Sequence, residues 1–195
     1  TNGWGLVHID LSTGVMTPLG MGFHWAHDGI MMYGNELIIG LMGTESTAAG
    51  LQRYDTSTYT FTGGRLLAGL PSNIVIDFVK HDGRIWVATV AGLGVWNLTR
   101  DDWDDPLTTL DGLPTPVIEH LIVQNNELWI GTGAGLTRFD TSNLTVIQTL
   151  TRADGLIGTK VSGFAYSSFT TITDPQGQVY SFGPTMFLAH DGSGI

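Results

Sequence analysis

Three polar residues stand inside otherwise apolar segments, and their types and positions make them the first candidates for chemistry. Asp77 lies in the run IVIDFV, and Glu119 and His120 lie together in the run VIEHLIV. Carboxylate and imidazole groups among aliphatic side chains need water, a ligand or one another as partners. The pattern predicts a polar patch that is either a hydrated lining or a ligand contact, with acid–base catalysis as a further alternative.

A long loop adds two more candidates. Met42–Gly50 is several residues longer than its counterparts Val90–Gly92 and Gly133–Gly135, and it carries Glu45 and Thr47. Loops on a rigid scaffold commonly carry function, although a tolerated insertion without function is the alternative. The predicted ligand-binding residues are Asp28, Glu45, Thr47, Asp77, Glu119 and His120.

One acidic run is a candidate for calcium. Its carboxylates flank Trp103, and they belong to Asp101, Asp102, Asp104 and Asp105. Calcium takes several oxygen ligands at once, which such a run could supply, but the Asp-x-Asp-x-Asp-Gly register of a calcium loop is missing. Without cysteine or an HExxH motif, a zinc site is not favoured. Apart from calcium, no cofactor is expected.

The elements that must position these residues recur along the chain. Shifting residues 111–140 back by 43 residues superimposes five apolar or turn positions on an earlier copy. The matched pairs are Val75 with Ile118, Phe78 with Leu121, Trp86 with Trp129, Leu93 with Leu136, and Asn97 with Asp140. A period of roughly 40–50 residues filled with short strands is typical of a β-propeller, whose repeat is a four-stranded blade.

Turn residues mark the strands within each blade. Asp82-Gly83 between two alternating runs predicts a hairpin, and the indoles of Trp86 and Trp129 are expected to pack between neighbouring blades. An Asp or Asn ends each third strand, where its side chain can accept a bond from the backbone two residues on. These residues are Asp10, Asp55, Asn97, Asp140 and Asp191. The predicted units are a partial blade at 1–20, blades at 21–67, 68–110 and 111–153, and a partial blade at 154–195.

The two ends decide between two architectures. Residues 1–20 supply a third and a fourth strand. The last unit is predicted to supply a first strand at Val161–Tyr166, an expanded connection at Ser167–Gly177, a second strand at Gln178–Phe182 and a third at Met186–His190. With a third strand at both ends, an all-β arc of about four blades from a larger propeller is favoured, and a closed four-blade ring with a spare strand is the alternative. The sequence opens inside a blade, so we expect it to be part of a longer chain.

The sequence motifs of the repeats resemble those of the two-component regulator propeller repeat. Gly69–Asn73 (GLPSN), Asp111–Pro114 (DGLP) and Asp154–Leu156 (DGL) each precede a first strand. The first two are followed by a strand containing Trp, then Gly-Leu, then an aromatic residue before Asn or Asp, whereas Ile38 and Tyr180 take the Trp position in two other units. The resemblance implies a propeller that is extracellular, periplasmic or on the cell surface, and in sensors of this family it implies binding of glycan-derived ligands.

Composition narrows the partners. A net charge of −10 with only two lysines repels phosphate backbones, so nucleic acid is not expected. No apolar run approaches the roughly 20 residues that cross a bilayer, so membrane insertion is not expected. An arc exposes apolar terminal faces and unpaired strand edges, which predicts that other propeller segments or protein subunits cover them, and glycans are a possible ligand.

Three functions follow from these features. A non-catalytic binding or scaffold module of an exported propeller protein is favoured. The turn residues that mark each blade are intact, and no recognised set of catalytic residues is complete. The first alternative is a periplasmic or extracellular sensor domain for oligosaccharides. The second is a propeller-type lyase or hydrolase, which requires at least two titratable groups that converge.

Overall fold

The computed structural model describes residues 7–18, 26–41, 50–62 and 69–190. Within these ranges the chain forms strands and two short 3-10 turns, Thr109–Asp111 and Arg152–Asp154. The strands are β1 (Val7–Ile9), β2 (Met16–Pro18), β3 (Ala26–Tyr33), β4 (Glu36–Leu41), β5 (Gly50–Asp55), β6 (Thr60–Phe61), β7 (Val75–His81), β8 (Arg84–Thr89), β9 (Gly92–Asn97), β10 (Asp102–Leu107), β11 (Ile118–Gln124), β12 (Glu127–Thr132), β13 (Gly135–Asp140), β14 (Thr145–Leu150), β15 (Val161–Ser167), β16 (Thr170–Thr173), β17 (Val179–Phe182) and β18 (Thr185–His190). None of the helical segments in the described ranges has the length or hydropathy to cross a membrane.

Three complete blades follow one another along the chain. They are the antiparallel sheets β3-β4-β5-β6, β7-β8-β9-β10 and β11-β12-β13-β14. The first strands β3, β7, β11 and β15 contact one another in succession, so they line the inner side of the array. The prediction of propeller blades in an open arc is confirmed.

Turn chemistry explains the hairpins. Asp82 and Gly83 both have positive φ angles (49° and 68°), as do Asn125 and Asn126 (51° and 64°). Two consecutive positive φ angles match the right-handed twist of the flanking strands, and Asn, Asp and Gly adopt them at the lowest cost. The predicted hairpin at Asp82-Gly83 is therefore confirmed, and its counterpart joins β11 to β12.

Aromatic side chains form the seams between blades. Trp86 is fully buried, its ring meets Phe139 of the next blade edge-on with 5.8 Å between ring centroids, and its Nε1–H donates to the carbonyl oxygen of His81. Ile38 and Trp96 pack in the equivalent seam one blade earlier. Trp129 is only half-buried and lies under the guanidinium of Arg138, 5.2 Å from the ring centroid. The predicted packing between blades is thus confirmed for Trp86 and incomplete for Trp129.

Side-chain sizes are matched across the inner part of each seam. A Cβ on Gly131 would lie 3.0 Å from Cζ of Phe164 in the next first strand, and a Cβ on Gly40 would lie 3.2 Å from Cε1 of Phe78. At the equivalent place in the middle seam, Ala88 shares a core cluster with the smaller Leu121. A glycine therefore stands where the facing residue is Phe, and an alanine stands where it is Leu.

This matching predicts the effect of Gly131→Ala. The new Cβ would lie 2.6 Å from the carbonyl oxygen of Val161 as well as against Phe164, so the blades must separate, and we expect a loss of about 1–3 kcal/mol of unfolding free energy. Adding Phe164→Leu recreates the alanine–leucine pair, so the double variant should lose less than the sum of the single variants in denaturant titrations. Gly133→Ala is the matched control, because nothing lies within 4 Å of its Cβ position. Strict additivity would contradict the size matching.

The third strands end in the same turn. The side-chain oxygen of the Asp or Asn accepts from the backbone N–H two residues on. The contacts are Ser12 to Asp10 at 2.8 Å, Ser57 to Asp55 at 2.7 Å, Thr99 to Asn97 at 3.1 Å and Ser142 to Asp140 at 2.8 Å. The Ser12 hydroxyl also donates to Asp10 and, together with the backbone donors, lowers the pKa of that carboxyl from 3.8 to about 2. β1 therefore ends as β5, β9 and β13 do, which identifies it as a third strand.

The strand order predicted for the last unit is wrong. β15 pairs with β18, and the register of Val161 with His190 and Gly163 with Ala189 repeats that of β7 with β8 and β11 with β12. β18 is therefore the second strand, while β16 and β17 form a separate hairpin inserted between the two. Phe187, rather than Tyr180, occupies the Trp86 position. Asp191, predicted to end a third strand, lies outside the described residues and follows a second strand.

This correction changes what the ends contain. β15 and β18, the C-terminal half-blade, are a first and a second strand. β1 and β2, the N-terminal half-blade, are a third and a fourth strand. The duplicated third strand that disfavoured a closed ring is therefore absent from the described residues, although the two half-blades form separate sheets in this structure.

Candidate functional site

A bulge in each inner strand positions the polar residues. The register of β7 against β8 shifts between Val75 and Asp77, and that of β11 against β12 shifts between Ile118 and His120. Two residues then oppose one, which bends the strand and redirects its side chains. The same shift between Val161 and Gly163 places Asp77, His120 and Gly163 at equivalent positions of three successive blades.

Asp77 ties two blades together. It is almost fully buried, its Oδ1 accepts from the backbone N–H of Phe78 at 2.8 Å, and its Oδ2 accepts from the N–H of Leu121 in the next blade at 2.8 Å. The same Oδ2 lies 2.6 Å from Nδ1 of His120. Three donors on one carboxylate are enough to hold a buried charge without a ligand.

His120 extends the chain of contacts to a third blade. A separation of 2.6 Å requires a proton between the two atoms, and because Oδ2 of Asp77 already accepts from the N–H of Leu121, we assign the carboxylate as the acceptor and Nδ1 of His120 as the donor. The imidazole lies flat on the ring of Phe164 with 5.4 Å between centroids and 18° between planes. Gly163, the equivalent residue in that blade, has no side chain to compete for this space. The side chain of His120 is 34% exposed, so one edge of the imidazole is accessible to solvent.

Glu119 points to a different partner. Its Oε2 lies 3.3 Å from Nζ of Lys160, which immediately precedes β15. The side chains are 20% and 39% exposed, so water screens the pair and its contribution to stability is small. Glu119 therefore pairs across the seam between the third and fourth inner strands, β11 and β15, and not with the Asp77–His120 pair.

The arrangement orients an imidazole rather than completing a reactive centre. A carboxylate on Nδ1 fixes the tautomer and the plane of a histidine, which is the orienting half of a catalytic triad. The convergence of two titratable groups meets the first requirement of the lyase or hydrolase alternative. Both oxygens of Asp77 also accept hydrogen bonds from backbone N–H groups, one in each of two blades. A purely structural role of Asp77 explains these two contacts.

Three of the predicted residues cannot be placed. The side chain of Asp28, together with Glu45 and Thr47, lies outside the described residues, and so does most of the Met42–Gly50 loop. The proposed ligand contacts of this loop stay a prediction. The Ser167–Gly177 segment begins the inserted hairpin β16–β17.

The sequence analysis did not identify two residues that contact the predicted site residues. These are Phe164, which stacks on His120, and Lys160, which pairs with Glu119. Phe164 has a signal in the repeat, because it is the equivalent of Phe78 and Leu121. Lys160 has none, because it precedes the strand and its role depends on the distance between neighbouring blades. Both partners come from the following blade, which a reading of single repeats does not reveal.

The acidic run contacts arginines. Asp104 accepts from Nε of Arg84 at 3.2 Å and also pairs with Arg100, and Asp101 lies 3.5 Å from Arg53. In the described part of the chain, no group of three or more His, Asp or Glu residues is arranged to hold a metal ion. A calcium site formed by Asp101, Asp102, Asp104 and Asp105 stays a prediction, and it would have to displace these arginines.

Comparison with solved structures agrees with the blade architecture. The extracellular domain of the hybrid two-component system BT3049 of B. thetaiotaomicron is 16% identical with a TM-score of 0.58, and the match covers 100% of this chain and 26% of that one. For BT4673 of the same organism the values are 17%, 0.60, 98% and 24%. The WD40 repeats of RRP9 give 9%, 0.58, 84% and 52%.

These comparisons establish a class of fold, the β-propeller. The chain spans about a quarter of the length of the two extracellular domains. No protein-family model and no curated protein matches the sequence. The resemblance to the two-component regulator repeat is thus supported as a propeller fold shared with two-component sensor domains, and at these identities no further.

Proposed function

We propose that this chain is a non-catalytic recognition segment of an extracellular or periplasmic sensor propeller. One observation carries the proposal: 98–100% of the chain superimposes on extracellular domains of hybrid two-component systems, in which it corresponds to about a quarter of the domain. The seams between blades add support, because Asp77 is saturated by backbone and imidazole donors that hold blades together.

The ligand class follows from charge and from the surface at the inner strands. A net charge of −10 repels polyanions, so a neutral oligosaccharide fits better than an acidic one. Hydroxyl groups would find donors and acceptors on Glu119 and Lys160, both partly exposed, beside the edge of His120. In this proposal Asp28, Glu45 and Thr47 extend the same surface, and Asp77 supports His120 from behind.

Calorimetric titration of the 195-residue chain with neutral oligosaccharides from a glycan array tests the proposal. We expect at least one class to bind and to be released intact, with Glu119→Gln weakening binding about tenfold, the loss of one good polar contact. Glu127→Gln is the matched control, because Glu127 forms a comparable surface pair with Arg138 within one blade. Failure of the whole array to bind, or cleavage of the bound sugar, would reject the proposal.

A further inference from the structure

The inserted hairpin β16–β17 continues the C-terminal half-blade in the same register. Ser167 pairs with Thr185, and three residues further along each strand Thr170 pairs with Phe182. The ladder is interrupted between these pairs, where Pro184 has no N–H to donate. The first and second strands of this blade therefore extend beyond the point where a tight turn joins them in the complete blades.

A completed blade would leave the outer edge of β17 open. In the β7–β10 blade, the third strand ends opposite the first residue of the second strand, where Asn97 pairs with Arg84. Thr185 is the equivalent of Arg84 in the last blade. A third strand beside β18 would therefore end opposite Thr185, before it reached Val179–Phe182. Further strands that complete the blade do not change this.

The backbone groups at this edge are set by the tip of the hairpin. The N–H of Asp174 donates to the carbonyl oxygen of Gln178, so these residues form a hydrogen-bonded pair. Hydrogen-bonded and non-hydrogen-bonded pairs alternate along an antiparallel ladder. Val179 and Ser181 therefore belong to non-hydrogen-bonded pairs, Ser181 opposite Thr171. Their N–H and C=O groups point away from β16, toward the open edge of β17.

The two strands of the hairpin lack the features that protect other edges. Charged side chains, prolines and bulges keep exposed strands from pairing with other chains. β10 contains three aspartates and Pro106, and β14 has a bulge at Ile147. β16 (TTIT) and β17 (VYSF) are uncharged, contain no proline and pair without a register shift. Because a two-stranded sheet is at best marginally stable in water, a third strand would stabilise this one.

Alternate side chains give the hairpin an aromatic face. Tyr180 and Phe182 lie two residues apart on β17, so they point to the same side as Ile172, which pairs with Tyr180. The exposed fractions of Ile172, Tyr180 and Phe182 are 46%, 51% and 46%. The hydroxyl of Tyr180 donates to Oδ2 of Asp174 at 3.3 Å and holds its ring in place. A strand added at β17 would place its own side chains beside these two rings, as in the cross-strand pairs that stabilise sheets.

We propose that the outer edge of β17 binds an extended segment of a partner protein as an additional strand. A row of unpaired backbone donors and acceptors is complementary to another extended backbone, and the aromatic face favours apolar residues at alternate positions of the segment. The net charge of −10 favours basic residues on either side of it and disfavours a second copy of this chain, which has the same charge. This inference does not depend on the proposed oligosaccharide.

Short synthetic peptides test the edge. Peptides of alternating valine and threonine with lysines at both ends are expected to bind the 195-residue chain in fluorescence polarisation, and glutamates in place of the lysines should weaken binding. Ser181→Pro removes an outward N–H, which edge strands tolerate, and should weaken binding at least about tenfold. Thr171→Pro is the matched control, because Thr171 lies opposite Ser181 and its N–H points to the other edge. Failure of the lysine-flanked peptides to bind, or equal losses in the two variants, would overturn the proposal.

Amide hydrogen exchange of the unmodified chain, followed by NMR, tests the same edge without a substitution. The lysine-flanked peptide should slow exchange at the N–H groups of Val179 and Ser181 and leave those of Thr171 and Thr173 unchanged. Slower exchange at Thr171 and Thr173 instead would place the peptide on the other edge and contradict the proposal. A dimer in light scattering that Ser181→Pro converts to a monomer would show that a second copy covers the edge, and it would overturn the proposal as well.

Discussion

Trp86→Ala is expected to lower the free energy of unfolding by about 3–5 kcal/mol, as for other large buried aromatic side chains. The indole is fully buried, it fills the seam against Phe139, and its N–H reaches the carbonyl of His81. The truncation removes all three contributions and leaves a cavity between two blades. Equilibrium unfolding in urea, followed by circular dichroism so that loss of a tryptophan does not affect the signal, measures the change.

Two further variants test the cause. Trp129→Ala should cost clearly less than Trp86→Ala, because Trp129 is half-buried. Phe139→Ala combined with Trp86→Ala should show a favourable coupling of about 0.5–1.5 kcal/mol, the usual value for an aromatic pair. Equal losses at the two tryptophans would mean that position in the repeat, rather than the seam, sets the energy.

The complete blades were predictable because their signals are local. Asp82-Gly83 specifies its hairpin through two positive φ angles, and the Asp or Asn at each third-strand end specifies its turn through a bond two residues away. Such signals survive in one sequence even where the apolar positions drift, as Ile38 shows by replacing the tryptophan. A nearly constant spacing of 42–45 residues between successive third-strand ends then places the strands between the turns.

The strand order predicted for the last unit was wrong because that prediction also relied on local signals. The inserted hairpin has alternating apolar residues of its own, so Val179–Phe182 looked like the second strand. An insertion keeps the local pattern and destroys the spacing, and only the pairing of Tyr166 with Met186 shows where the blade resumes. Half-blade identity therefore could not be obtained from periodicity alone.

The sequence predicted which residues belong to the candidate site better than it predicted which residues they contact. Asp77 and His120 stood out because polar groups in apolar strands need partners, and one of the three partners left open, each other, is what the structure shows. The contacts of Glu119 with Lys160 and of His120 with Phe164 depend on how blades stack, which is long-range information. Whether these residues bind a ligand stays a prediction.

Asp77→Ala is expected to lower the free energy of unfolding by roughly 3 kcal/mol, since an unpaired buried N–H costs about 1–3 kcal/mol and bonds to a charged acceptor lie at the upper end. The N–H of Leu121 sits in the seam between two blades, where water cannot easily replace the carboxylate. His120 would lose the acceptor that fixes its ring against Phe164. Urea unfolding measures the first effect, and the imidazole nitrogen chemical shifts in NMR measure the second.

The size of the loss should depend on which donors keep an acceptor. Asp77→Asn retains one acceptor oxygen, so it should cost less than Asp77→Ala. His120→Phe keeps an aromatic ring on Phe164 and leaves both backbone hydrogen bonds of Asp77 in place. Its cost should therefore be the smallest of the three. Asp105→Ala, an exposed aspartate on β10, is the control and should change stability by less than about 0.5 kcal/mol. If His120→Phe cost as much as Asp77→Ala, the imidazole rather than the backbone N–H groups would be the partner through which the carboxylate stabilises the seam, and the expected order of the three variants would be wrong.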